Sequence, residues 1–128
     1  MLRDPQKRVT EITIDRHAAA VRVVLTFNGD KSLVVGSEGL DEARALLLAD
    51  GYAEGLRASQ EVTEDTIKAY LNDPKEQIAF AIPPDLKSDD RRLFERGAIG
   101  GLKLGTQGYW TDTRHFCRQE LQPLDGAE

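Results

Sequence analysis

Apolar and polar residues alternate twice near the start of the chain. Ile12 and Ile14 stand among polar neighbours, and Val21, Val23, Leu25 and Phe27 repeat the two-residue period on the next run. Side chains of an extended strand point alternately to opposite faces, so each run predicts a strand with one buried face. "DRHAAA" between them reads as a loop, and Leu33 to Val35, after "FNGD", as the third strand of a meander.

The turn decides the register. Asn28-Gly29 ordinarily marks a two-residue type I′ hairpin, which would pair Phe27 with Asp30 and turn Leu33 and Val35 away from Val21, Val23 and Leu25. A three-residue loop, Phe27-Asn28-Gly29, instead pairs Val23 with Leu33 and Val21 with Val35, with Gly29 where a bulge takes glycine. A one-residue slip turns the whole apolar set over, so the pattern favours the bulged turn.

Helical periods follow. "LDEARALLLADG" carries a capping Asp41, an acidic first turn and Gly51 just past its expected end, and Leu46, Leu47 and Leu48 leave it a narrow polar face. A second helix is expected from Thr63, with Ile67, Tyr70 and Leu71 on one side. "DPKEQIAFAIPP" is ambiguous. Asp73, Pro74 and Glu76 fit a helix start, but alternation of Ile78, Phe80 and Ile82 with alanines spans the apolar run and favours a strand. "SDDRRLFERG" predicts a short helix from a Ser88 cap to Gly97.

The next stretch, "GLKLGTQGYW", alternates Leu102 with Leu104, then gives a Gly-Thr-Gln-Gly turn and Tyr109–Trp110, which predicts a hairpin. Residues 111–121 fit a strand by the parity of Tyr109, Thr111 and Thr113, or a helix by the spacing of Phe116, Cys117 and Leu121. The expected architecture is a single α+β domain over residues 1–128. A mainly antiparallel sheet, the N-terminal three-strand meander, is packed by two to three helices, with a core at about 8–121 and a disordered tail at 122–128.

Length agrees with one domain, since 128 residues bury enough surface to fold without a metal or disulfide staple. No run is long and apolar enough for a membrane span, the N-terminal stretch lacks the apolar centre of a signal peptide, and Cys117 stands alone. The expectation is a soluble cytoplasmic protein with no membrane partner.

Charge changes the picture more. The net charge is −5, yet residues 38–90 hold thirteen acids against five bases, whereas residues 91–118 hold six bases against two acids. That basic segment also contains five of the eleven glycines and four of the eight aromatic residues. Guanidinium groups pair with phosphates and rings stack on bases, so Arg91, Arg92, Arg96, Lys103, Tyr109, Trp110 and Arg114 are the candidate binding residues.

Catalytic chemistry finds less support. The glycines match neither a Walker loop nor a dinucleotide fingerprint, and "GAIG" has the bare spacing of a KH loop without its basic centre. His115 and Cys117 share a face only if extended, and a zinc site needs further ligands, so no metal or cofactor is expected. Most carboxylates sit at helix starts, where negative charge is already stabilising.

By elimination the sequence favours a small non-catalytic interaction protein, an adaptor, inhibitor or subunit. It would act on a protein partner or on itself as a homodimer, with Tyr109–Trp110 as exposed anchors. A nucleic-acid or anion-binding module built on residues 91–118 is the second expectation. A small enzyme or ligand-binding domain with a pocket near Glu61, Asp112 or His115 is the third.

Overall fold

The computed structural model describes residues 4–17, 20–28, 31–73, 78 and 80–112, with the backbone alone at 16, 17, 20 and 37–40. The expectations for residues 74–77, 79 and 113–128, including Arg114, His115 and Cys117, lie outside the described residues.

Three strands, β1 (Val9–His17), β2 (Ala20–Phe27) and β3 (Lys31–Leu40), form an antiparallel sheet in the order β1-β2-β3. This is the expected meander, and the fold is α+β. The first connection is shorter than the expected "DRHAAA" loop, because His17 already pairs with Ala20. The second turn corrects both registers considered. Phe27 pairs with Lys31, so a three-residue loop holds residues 28–30, one position later than expected. Asn28 takes the left-handed conformation at φ 50°, which asparagine tolerates. Leu25 then faces Leu33, and a bulge beyond Val34 lets Val23 meet Gly36. The turn keeps the expected parity, Leu33 facing Leu25, and the bulge then sets Gly36 instead of Val35 opposite Val23.

Asp41 caps α1 (Glu42–Ser59) by accepting the Arg44 amide at 2.8 Å, and Thr63 caps α2 (Glu64–Asn72) through the Thr66 amide at 3.1 Å. α1 does not stop at Gly51 but continues for two more turns. Ser88 is likewise the first residue of α3 (Ser88–Thr106), not its cap. α3 runs straight through the stretch expected to be a hairpin. Residues 78 and 80–82, expected as strand, adopt neither strand nor helix. There the Ala81 amide donates to Glu54, and the Phe80 ring meets Tyr70 edge-on at 5.9 Å between centroids.

The reason for the long helices is a backbone-to-backbone contact. Gly51 and Gly55 on α1 face Gly97 and Gly101 on α3. A methyl group on Gly55 would lie 1.9 Å from the Ala98 carbonyl oxygen, and one on Gly101 would lie 2.4 Å from that of Tyr52. Four-residue spacing puts each pair on one helical face. The order of contacts, Gly51 with Gly97 and later Ser59 with Gly105, shows that the two helices run parallel. α3 ends in a Schellman motif. Gly108, at φ 99°, donates to Gly105 and Tyr109 donates to Leu104, each at 3.1 Å.

The core lies between the sheet and α1. Val9, Ile12, Ile14, Val21, Val23 and Leu25 pack against Ala45, Leu48, Ala49 and Leu56, joined by Leu104 from α3. A second cluster on the far side joins Ala58 and Leu102 to Ile67 and Ile78. α1 is therefore covered by the sheet and by α3, with α2 joining the two helices at Ala58 and Leu102.

Two glycine-to-alanine changes separate backbone contact from helix propensity. Gly55→Ala is expected to cost about 3 kcal/mol, because its methyl group meets backbone that cannot move aside. Gly105→Ala would bring its methyl group to 2.4 Å from Ser59 Oγ and 2.5 Å from Ser59 Cβ, which the main chain holds. It also destabilises, but by less, because the contact is with one side chain and the gain in helix propensity of about 1 kcal/mol offsets part of the cost. Urea unfolding midpoints of the two variants check the contrast.

Candidate functional site

A twisting charged groove follows α3 beside the N-terminal half of α1. Arg92, Arg96 and Lys103 fall on one stripe of α3 because four-, seven- and eleven-residue intervals return to nearly the same side of a helix. Two adjoining hollows share Arg92 and Arg96. The first, about 260 Å³, also takes in Arg44 from the first turn of α1, with Asp89 and Leu93. The second, about 420 Å³, is lined by Tyr52, Glu95, Ile99, Gly100 and Lys103 as well. Over an α-helix, the span from Arg92 to Lys103 is about 16 Å.

Tyr52 forms one wall. Its ring crosses α3 at Gly100, where a methyl group would lie 2.4 Å from the ring carbon Cε1, and its hydroxyl donates to the Val35 carbonyl at 2.6 Å. Gly100 is thus the slot through which α1 reaches the bulge in β3. Burial pushes the Tyr52 hydroxyl above the ordinary tyrosine value.

The bases of the groove differ from those elsewhere in how they are matched. Arg57 is held by Glu54 on its own helix and by Glu61 just past the end of that helix, and Arg22 by Asp15 across the sheet at 2.8 Å. Hydrogen bonding to Glu54 first, then Glu61, raises the Arg57 guanidinium further above its ordinary range. Among the described residues Arg44, Arg92 and Lys103 form no ion pair with an acid, although Asp89 and Glu95 line the same hollows.

Of the residues singled out from sequence, the structure brings Arg92, Arg96 and Lys103 together. Arg91 lies at the groove's border, 3.9 Å from Glu95. Tyr109 and Trp110 are elsewhere, on the outer edge of β1. The Tyr109 ring meets Phe27 edge-on at 5.3 Å, with the Lys7 ammonium 5.2 Å from its centre. The Trp110 indole N–H donates to the Asp4 carbonyl at 2.7 Å, and its backbone bridges to the start of β1. Both rings are half-buried and engaged within the chain. Asp112 pairs with Arg8 at 2.9 Å, and Glu61 with Arg57, and neither acid lines the two hollows described above.

Sequence reasoning missed Arg44 and Tyr52. Nothing in their local pattern marks them, but the shared Gly-x-x-x-Gly interval of "GYAEG" and "GAIGG" would have set α1 beside α3 and brought them in.

Among the described residues no group of three histidine, cysteine or acidic side chains could hold a metal, and no helix is long and apolar enough to cross a membrane. Comparison with protein families, curated proteins and solved structures found no match to this chain.

The Tyr52 hydroxyl gives the groove a pH signature. It must keep its proton to donate to Val35, and its folded-state value lies above the unfolded one near 10. Its contribution is therefore complete below about pH 10 and lost as pH rises through the folded value. Tyr52→Phe is expected to lower stability by about 1 kcal/mol at neutral pH and to flatten the alkaline decline. Urea midpoints of both proteins at about pH 8 and about pH 11 check this.

Proposed function

We propose that the chain is a non-catalytic interaction protein that binds an acidic segment of a protein partner in the groove between α1 and α3. The supporting observation is the convergence of Arg44, Arg92, Arg96 and Lys103 on two joined hollows, three of these bases without an acid of their own among the described residues. Guanidinium groups bind carboxylates in a fork, and the Tyr52 ring and Ile99 supply apolar contact beside them, a combination common at protein interfaces.

Nucleic acid is the weaker reading of the same surface. The groove spans only about 16 Å of helix, enough for two or three anionic groups. Tyr109 and Trp110, the rings that would stack on bases, sit on a different edge of the molecule.

Fluorescence anisotropy with a glutamate-rich peptide and with an oligothymidine tests the choice. The peptide is expected to bind at about 50 mM salt, to weaken at about 200 mM, and to lose about tenfold or more in affinity with Arg92→Ala/Arg96→Ala. Binding of neither probe at low salt overturns the proposal. Tighter binding of the oligonucleotide transfers the groove to nucleic acid.

A further inference from the structure

The two edges of the sheet are treated differently. On the β1 side, residues 109–111 lie along the start of the strand. The Val9 amide donates to the Trp110 carbonyl at 2.7 Å, and the Thr111 hydroxyl donates to the Val9 carbonyl at 2.9 Å. On the other side β3 is the last strand, ten residues long, with no further strand beyond it among the described residues. It contains no proline, and its charged residues are Lys31 at the start and Glu38 towards the end. The exposed large apolar side chains among the described residues are both on it, Leu33 at 39% and Val34 at 42%. An uncovered strand edge offers unpaired amides and carbonyls to another strand, and natural sheets usually blunt it.

The sequence of β3 complements itself. Antiparallel pairing about a two-fold axis between positions 34 and 35 sets position 31 against position 38, a lysine across from a glutamate, twice per pair. The same register sets Ser32 against Ser37 and Val34 against Val35. The bulge beyond Val34 falls at the axis, so the two copies present the same irregularity to each other and the flanking positions stay in step. The Val35 carbonyl is already taken by Tyr52, so the ladder is carried by the positions on either side.

From this we infer that β3 pairs antiparallel with β3 of a second copy, joining two three-stranded sheets into one of six strands. This surface is distinct from the groove between α1 and α3, which reaches β3 through Tyr52.

Sedimentation equilibrium over a range of concentrations tests it, with circular dichroism as the check on folding. The wild-type mass is expected to rise from 14.2 kDa towards twice that value. Lys31→Glu and Glu38→Lys each create two like-charged cross-strand pairs and are expected to weaken the dimer about tenfold. The double variant Lys31→Glu/Glu38→Lys restores opposite charges and is expected to recover wild-type association. Arg92→Ala/Arg96→Ala is expected to leave the dimer unchanged. A wild-type mass that stays at the monomer value at every concentration overturns the inference. So does a dimer indifferent to the single changes, or one that the double change fails to restore.

Discussion

The contact that organises this molecule is between two helix backbones. Glycine in the middle of a helix costs about 1 kcal/mol relative to alanine, so a stretch with Gly97, Gly100, Gly101 and Gly105 has poor helical propensity when taken alone. It is helical because α1 presents Gly51 and Gly55 at the same interval, and the two bare stripes press together. Parallel orientation has a further consequence. The chain must return the full length of α1 before α3 begins, and residues 60–87 make that journey through α2 and the segment that Glu54 and Tyr70 hold at Ala81 and Phe80.

The groove is a product of the same contact. Once the axes are this close, side chains at the borders of the stripe are forced outward, and those of Arg92, Arg96 and Lys103 form a row with Arg44 at its end. Tyr52 projects across Gly100 to β3, so one residue belongs to the wall of the groove and to the support of the sheet. Side chains on the rim can vary in charge without disturbing this frame, because the frame is made of main chain.

The strands and helix starts were legible because their signals are local. Ile12 and Ile14, the Val21–Phe27 alternation, and the caps Asp41 and Thr63 each act within a few residues. The turn after Phe27 lies one position later than the pattern predicts. Moving the pairing by two residues leaves the same β3 side chains facing Leu25 and Val23, so alternation alone does not choose between the two registers. The glycine stretch was misread for a related reason. Leu102 and Leu104 alternate as in a strand, whereas in α3 Leu102 joins the cluster of Ile67 and Ala58, and Leu104 joins the sheet side. Tyr109 and Trp110 were expected as outward anchors, but the Schellman turn at Gly108 swings them onto β1. Of the candidate binding residues, Arg92, Arg96 and Lys103 share a stripe because they share a helix, a relation that a hairpin over the same stretch does not give.

The clasp between residues 4–9 and 107–112 has a bearing on how the molecule assembles. Its partners are separated by between 100 and 106 positions: Lys7 with Gln107, Thr111 with Val9, Arg8 with Asp112, and Trp110 with Asp4. Joining points so distant along a flexible polymer is entropically unfavourable until the intervening segments have condensed. The meander and the paired helices, by bringing the two ends of the chain together, are what lower the entropic cost of the clasp. The clasp closes the β1 margin, whereas no strand among the described residues lies beyond β3, which makes the sheet directional: one margin is finished by the chain's own two ends.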